Sequence, residues 1–356
     1  MLPLRSIAFM TLLLACIFSS IAVAGAIVMP SALPIGNAFV DTESILTDPE
    51  TIRPAVSETD VPAVARLLFA GDIMLARGVE YKIGKTSLNY PLSDITEYIS
   101  SADLAIANFE GTIRDEPNQE LDGFTFDTTP MIAGIVPAAG FDVMSLSNNH
   151  SDNHGPAIVE YTRQTLSDIG ITPFGDPYDS KNFVAHKTVN GISIAFIGFH
   201  AFGEDPESIL ETITAEKTAG NFVVVLPHWG NEYQHTPSPA QTSAAHMFVE
   251  AGADTVIGAH PHVVQTYENY NGAPIIYSLG NFLFDQDWSV PTQQGLTLGF
   301  DIDATSITMS FVPVSVIKAH VTLMDHNNAS TILSEHNLPA ILKIPRVTVQ
   351  NTVVRQ

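Results

Sequence analysis

Short apolar runs alternate with longer amphipathic stretches along most of the chain. Helical periodicity is clearest at Ile158–Ile169 and Pro239–Ala251, whereas Leu296–Ile302 and Ser306–Val314 are typical of an antiparallel strand pair. The strand-like runs before that pair are Ala65–Ala70, Asp103–Ala107, Phe141–Leu146, Ile192–Gly198, Phe222–Leu226, Thr255–Ile257 and Pro274–Ser278. Strands that alternate with helices predict an α/β fold that begins near residue 64.

The first 29 residues are predicted to direct the chain out of the cytoplasm. Ile7–Met29 contains no charged residue and follows a single arginine, Arg5. Three interpretations stay open: a signal peptide cleaved after Ala24, an uncleaved helix that anchors the chain in the membrane, and lipidation of Cys16. In each case the rest of the chain is expected to be exported, either membrane-anchored and facing outward or secreted.

Two further segments flank the predicted domain, which we place at residues 64–318. Residues 30–63 contain scattered Pro, Ser, Thr and acidic residues without periodicity, and this composition predicts a linker. Residues 319–356 form a C-terminal extension in which the pattern weakens. Within it we expect His326–Gln356 to be loosely attached, with one weak strand at Arg346–Val354.

The formal net charge of −23 narrows the classes of function. Binding to a nucleic-acid backbone requires a basic surface, so no nucleic-acid partner is expected. An anionic substrate would be repelled at long range and would need cations at its binding site. The single cysteine, Cys16, excludes an internal disulfide.

Residues of metal-ligating type follow several of the predicted strands. His260 and His262 follow Thr255–Ile257 and would share one side of an extended chain. Other strand ends carry Asp72, Glu110, Asn149 with His150, and His228. Ligands of α/β proteins bind at the carboxyl ends of strands, and a pair of divalent ions uses this mixture of carboxylate, amide and imidazole donors. The ordered set therefore predicts one shared metal site.

The same segments carry a family resemblance over about Leu67–Val316. The motifs are Gly71-Asp72-Ile-Met-Leu with Arg77, Asn108-Phe-Glu110-Gly, Asn148-Asn149-His150 with Gly155, His228-Trp-Gly-Asn-Glu232-Tyr233, Gly258-Ala-His-Pro-His262 and Ser278-Leu-Gly-Asn281-Phe282. In this order they resemble the CapA family of capsule (poly-γ-glutamate) biosynthesis proteins, a branch of the calcineurin-like metallophosphoesterase superfamily. The resemblance implies a four-layer αββα sandwich of the metallophosphatase-like kind, with its site at the carboxyl edge of the sheets.

The resemblance also implies a role for each strand-end residue. Asp72 and His262 would hold one divalent ion, and Glu110 would lie between this ion and a second. Asn149, His228 and His260 would hold the second ion. His150 would face the substrate, where it would stabilise charge or protonate a leaving oxygen. The ligand types suit Mn, Fe, Zn or Mg.

Four more residues of these motifs are candidates to support the ligands or to contact substrate. Asn108 precedes Glu110 by two residues, and Asn281 belongs to the last of the motifs. Glu232 either orients His228 or a water molecule, or is a surface acid. Arg77 either contacts an anionic group of the substrate or forms a structural salt bridge.

The chain departs from the superfamily pattern at two of these positions. Met74 stands where a histidine usually follows the first aspartate, and Glu110 stands where an aspartate is usual. The first ion would therefore have fewer protein ligands, so its binding is expected to be weak or to depend on substrate.

Three classes of function follow from this resemblance. The first is a metal-dependent hydrolase or transferase acting on a phosphoester or amide, with His150 as proton donor. The second is an exported accessory subunit that binds an anionic polymer, in the company of capsule ligase or exporter subunits. The third is a structural module that has kept the fold without the chemistry. The interpretation that combines them is an exported, metal-binding protein of capsule or other envelope polymer synthesis.

Overall fold

The computed structural model describes residues 64–117 and 123–346. The predicted export segment and linker lie outside the described residues, as does most of the predicted strand Arg346–Val354. Among the residues that are described, none of the helices combines the length and the apolar character needed to cross a membrane.

Two large sheets contain most of the strands. In chain order the strands are β1 (Ala65–Ile73), β2 (Leu104–Phe109), β3 (Thr112–Ile113), β4 (Asp127–Thr128), β5 (Val143–Ser145), β6 (Thr172–Phe174), β7 (Ala185–Val189), β8 (Ile192–His200), β9 (Phe222–His228), β10 (Thr255–Ile257), β11 (Tyr267–Tyr270), β12 (Ala273–Ile276), β13 (Asn281–Leu283), β14 (Gln294–Ile302), β15 (Ser306–Ile317), β16 (His320–Leu323) and β17 (Ile341–Pro345). The first sheet has the order β16-β15-β14-β1-β2-β5-β6, with β13 beside β1 and β17 beside β15. The second has the order β11-β12-β10-β9-β8-β7.

The helices lie in the connections between strands. They are α1 (Arg77–Lys85), α2 (Thr96–Ile99), α3 (Pro130–Ala133), α4 (Ile135–Ala138), α5 (Pro156–Asp168), α6 (Leu210–Thr218), α7 (Pro239–Ala251) and α8 (His326–Glu335). Local sequence explains the limits of α7. Ser238 and Gln241 form a reciprocal capping box at its start, and Gly252 ends it in a left-handed conformation with a φ of 119°.

The mixed α/β fold confirms the class predicted from alternation. Each strand predicted within residues 64–318 overlaps an observed one, and α5 and α7 coincide with the two predicted helices to within two residues. The observed strands β1, β8 and β9 run further than the apolar runs do, because each continues into the polar residues at its carboxyl end, as β9 does to His228.

Three apolar clusters account for the packing. One joins side chains of both sheets, including Phe69 and Phe300 from the first and Phe222 from the second. Another packs the first sheet against helices through residues such as Val79 and Leu166. The third packs the second sheet against α6 and α7. The central strands are therefore buried on both faces, which explains their continuous apolar sequences.

The C-terminal residues differ from the expectation of a loosely attached extension. β16 and β17 both pair with β15, and Ile344 of β17 lies in the cluster between the sheets. The sequence pattern did not predict β17, because its outward-facing Ile341 is 68% exposed and Lys343 lies between apolar residues.

Parallel pairing brings the candidate site together at one edge. β1, β2 and β5 are parallel in the first sheet, and β8, β9 and β10 are parallel in the second. Gly71 permits a close approach at this edge, because a Cβ there would lie against the carbonyl oxygen of Gly280. That approach allows the next residue, Asp72, to pair with Asn281.

The position of β17 predicts unequal effects of two substitutions in one strand. Ile344→Ala should lower the free energy of unfolding by about 2–5 kcal/mol, because it opens a cavity between the sheets. Ile341→Ala, at an exposed position, should change it by less than about 0.5 kcal/mol. Urea unfolding followed by circular dichroism measures both, and equal effects would contradict the packing of β17.

Candidate metal centre

Six side chains from both sheets meet at the shared carboxyl edge. They are Asp72, Glu110, Asn149, His228, His260 and His262, and each lies within 4 Å of at least one other. Single ligand atoms of Asp72, Glu110 and His228 also lie within 4.8 Å of one another, a spacing that can hold a metal ion. All but Asn149, which is half-buried, are buried.

Asp72 is fully buried and accepts two hydrogen bonds. Asn108 Nδ2 donates to its Oδ1 at 2.8 Å, and the backbone N–H of His260 donates to its Oδ2 at 3.1 Å. His262 Nδ1 lies 3.5 Å from the same Oδ2. These contacts tie the end of β1 to the loop after β10, so the carboxylate joins the two sheets.

Glu110 has a different environment. Both of its carboxylate oxygens are buried, and no N–H or O–H group of the described residues donates a hydrogen bond to either. His262 Nε2 and His150 Nε2 lie 3.7 and 3.9 Å from its Oε1, beyond hydrogen-bond distance. Natural proteins rarely leave a buried carboxylate without a donor or cation, since its desolvation is then uncompensated.

Asn108 connects the carboxylates to the imidazoles. Its Nδ2 donates to Asp72 and also lies 3.3 Å from His228 Nδ1, while its Oδ1 accepts from Asn148 Nδ2 at 3.0 Å. The second nitrogen of His228, Nε2, lies 2.8 Å from Asn149 Oδ1 and 3.1 Å from His260 Nδ1. Donors and acceptors of this kind fix the orientation of His228.

The two histidines of the His-x-His motif reach the centre by a route that was not predicted. β10 ends at Ile257, and the backbone φ is 98° at His260 and 58° at His262. The two rings lie on one side as expected, but the extended backbone on which that expectation rested is wrong. A left-handed backbone turns both rings toward the centre, with ring centroids 5.8 Å apart.

Asn281 sets the tautomer of His262. Its Nδ2 donates to Gln286 and to the carbonyl of Thr292, so its Oδ1 is the acceptor for His262 Nδ1 at 3.0 Å. With the proton on Nδ1, the lone pair of His262 lies on Nε2, the nitrogen nearer to Glu110. Metal-binding histidines commonly have this arrangement, in which one nitrogen donates to a neighbour and the other is left free for an ion.

Burial shifts the pKa values of the centre toward neutral forms. It raises the pKa of Asp72 to about 7, and burial followed by the nearby Asp72 carboxylate raises the pKa of Glu110 well above its usual range. Burial also lowers the pKa values of His260 and His262 to about 3 and that of His228 well below its usual range. Without a cation, protonated acids and neutral imidazoles are favoured.

His150 lies at the edge of the centre and is partly exposed. Its ring stacks on Phe126 with centroids 3.8 Å apart. Asn153 Oδ1 accepts from the backbone N–H of Phe126 and lies 3.3 Å from His150 Nδ1. This places the proton of the neutral ring on Nδ1 and leaves Nε2 facing Glu110. Burial lowers the pKa of His150.

Two of the surrounding candidates, Arg77 and Glu232, act on Glu110 through their charges without a hydrogen bond to a candidate ligand among the described residues. Arg77 forms an ion pair with Asp285 and stacks on Phe126 with its guanidinium 4.4 Å from the ring centroid, which matches the salt-bridge alternative. Glu232 is exposed, and among the described residues it is not a hydrogen-bond partner of His228. Met74 is buried in the cluster between the first sheet and its helices.

Two residues near the centre were not predicted as site residues. Asn148 donates to Asn108 and accepts from the backbone N–H groups of His150 and Ser151, so it orders the whole loop. His200 ends β8 opposite His228, and its Nε2 is buried without a partner among the described residues. A polar residue directly after an apolar strand was the available signal for His200.

Comparisons with known proteins identify the family of the chain. Residues 66–286, which contain the six side chains, match the family described as "Bacterial capsule synthesis protein PGA_cap". The chain is similar to "Capsule biosynthesis protein CapA" of Bacillus anthracis, with 30% identity over 275 residues, covering 70% of this chain and 67% of that protein. It is also similar to "PGA biosynthesis protein CapA" of Bacillus subtilis (strain 168), with 30% identity over 243 residues, covering 62% and 63%.

A further relative has a lower identity to this chain. "Probable polyglutamine synthesis accessory protein" of Mycobacterium tuberculosis is 25% identical over 288 residues, covering 64% of this chain and 76% of that protein. The aligned region spans about two thirds of the length of the two Bacillus relatives. On the family match and these identities, the chain belongs to the bacterial capsule synthesis protein family PGA_cap.

Proposed function

We propose that the protein is an exported, divalent-metal-binding protein that acts in the synthesis of capsule, poly-γ-glutamate or another envelope polymer. The names of its relatives support a role in polymer synthesis, since they denote capsule, PGA and polyglutamine synthesis. The uncharged segment Ile7–Met29 supports export and a membrane anchor. The three packing clusters support a four-layer αββα sandwich of the metallophosphatase-like kind.

Glu110 carries the metal proposal. An ionised carboxylate with two buried oxygens and no donor needs a cation, and Asp72 beside it adds a second acid. Without a cation the raised pKa of Glu110 favours its protonated form, and a bound ion would take the place of that proton. In the arrangement that the family resemblance implies, Asp72 and His262 would hold one ion, Asn149, His228 and His260 would hold a second, and Glu110 would lie between them. The contacts of His262 with Asp72 and Glu110 and those of His228 with Asn149 and His260 support this arrangement, as does the spacing of Asp72, Glu110 and His228. A divalent ion bound there would supply Lewis-acid polarisation of a phosphoryl or carbonyl oxygen.

His150 is the residue placed to move a proton. Its neutral ring has the lone pair on Nε2, which faces the centre, so it accepts a proton at that atom. Because burial lowers its pKa, the protonated ring would release this proton readily to a leaving oxygen. This supports a metal-dependent phosphoester or amide hydrolase, in a capsule system or independent of one.

A non-catalytic, polymer-binding subunit is the second candidate. The observation that favours it is Met74, because a buried thioether in the core replaces the imidazole that would complete the first ion position. Fewer ligands mean weaker binding, and an ion with open positions would bind the carboxylates of an anionic chain without cleaving it.

Divalent metal should stabilise the folded protein. After removal of metal by chelator, Mn²⁺ at a hundred times its Kd should add about 2.7 kcal/mol to the free energy of unfolding. Thermal unfolding with 0–1 mM Mn²⁺ measures this, and His228→Ala should abolish the shift. His246→Ala, a histidine paired with Glu268 away from the centre, is the matched control. No shift in the wild type would remove the metal proposal.

The stability of the metal-free protein should depend on pH through Glu110. Its pKa is raised in the folded state, so its contribution to folding is most favourable at low pH and is lost as pH rises above the unfolded value. At pH 8 without metal, Glu110→Gln should therefore raise Tm by at least about 2 °C, equivalent to about 1 kcal/mol. The difference should shrink toward pH 4, and the variant should lose the Mn²⁺ shift. A variant less stable than wild type at pH 8 would contradict this environment for Glu110.

Substitution of His150 distinguishes a hydrolase from a polymer-binding subunit. If the protein is a hydrolase, His150→Ala should reduce kcat for a model phosphodiester or for poly-γ-glutamate by about 10²–10⁴-fold in the presence of Mn²⁺. His154→Ala, which removes a histidine paired with Asp127, serves as the control. Equal rates for wild type and His150→Ala would exclude His150 from the mechanism, and no turnover by metal-bound wild type would favour the binding subunit.

A further inference from the structure

Three large aromatic side chains are exposed around the candidate metal centre. Phe202 is 51% exposed, Tyr233 41% and Trp288 63%. Aromatic rings that are exposed singly need no explanation, whereas several at the mouth of one site mark a contact surface. Each of the three is in contact with the centre, either directly or through a neighbouring ring.

These rings continue through the histidines of the centre as one row. Successive ring centroids are 4.5 Å apart from Phe202 to His260, 5.8 Å from His260 to His262, 6.2 Å from His262 to Tyr233, and 6.2 Å from Tyr233 to Trp288. Phe202 and Trp288 at the ends are exposed, and the two imidazoles in the middle are buried among the candidate ligands. We call these five rings the aromatic track.

The loop that carries Tyr233 is held in place. The backbone of Tyr233 is left-handed, with a φ of 62°, and its N–H donates to the carbonyl of Pro261 at 2.8 Å. Its hydroxyl accepts from Gln286 Nε2 at 3.3 Å, and Gln286 accepts from Asn281. The ring is therefore positioned before any ligand arrives, which lowers the entropy cost of binding.

We propose that the aromatic track binds an extended polymer chain on both sides of the metal centre, so that the centre engages an internal unit of the chain. This inference rests on the proposed function, and of the polymers named there it takes a γ-linked glutamate chain as the ligand. Its methylene and planar amide groups would pack on the exposed rings, and a carboxylate would face the ion. One residue of an extended α-linked polypeptide spans roughly 3.5 Å, and a γ-linked residue, with two more backbone atoms, spans roughly 6 Å. A ligand therefore needs several units to contact both ends of the track.

Ligand length distinguishes this arrangement from capture of a chain end. The probes are synthetic γ-linked glutamate oligomers of three and ten residues, titrated calorimetrically into the full chain with 1 mM Mn²⁺. The decamer should bind more tightly than the trimer. Phe202→Ala and Trp288→Ala should each weaken decamer binding roughly three- to tenfold, and the double variant should bind both oligomers with similar affinity. Tyr81→Ala removes an aromatic ring of similar exposure, 54%, outside the track and should leave both affinities unchanged.

The Mn²⁺-dependent thermal shift, measured on every variant, separates the two proposals. A normal shift together with unchanged decamer affinity in both end variants would overturn the aromatic track and leave the metal centre intact. Decamer and trimer of equal affinity in the wild type, or no binding of either, would also overturn it. Loss of length discrimination in the double variant would support the track even if the wild type showed no metal shift, in which case only the metal proposal would fail.

Discussion

Two carboxylates buried side by side are the constraint on which the rest of the centre depends. Asp72 obtains its hydrogen bonds from an amide and a backbone N–H, while Glu110 receives none from the described residues. The groups around them are neutral amides and imidazoles whose pKa values are lowered by burial. Arg77 is a cation that acts on Glu110, but it is itself paired with Asp285. The described residues therefore concentrate acceptors and lone pairs with little positive charge to balance them.

The centre is ordered by amides rather than by charges. Asn108 and Asn148 form a chain of side-chain hydrogen bonds from β2 to the loop after β5, and the same Asn108 orients Asp72 and His228. Asn281 likewise orients His262, because its Oδ1 accepts from His262 Nδ1. Such groups keep their hydrogen-bonding capacity whether or not the acids are protonated, so the geometry does not require a bound ion to form.

The sequence predicted the fold class and the edge at which polar residues collect, because apolar runs and the residues that follow them are local features. Contacts between distant segments were not accessible in the same way. Arg77 pairs with Asp285, 208 residues away, and neither position alone indicates the partner. β17 was missed because its exposed face weakens the pattern, and His200 was missed because a single histidine after a strand resembles a loop residue. His260 and His262 were correctly predicted to lie at the carboxyl edge, but their backbone was wrongly predicted to be extended. The alternation of side chains along a strand does not indicate φ angles of 98° and 58°.

That left-handed backbone has a consequence for how position 260 can vary. A residue with a side chain at a φ of 98° stores conformational energy of order 1–3 kcal/mol, which glycine would release. Glycine at position 260 would therefore make the fold more stable than histidine does. The presence of the imidazole ring is not explained by the stability of the fold alone.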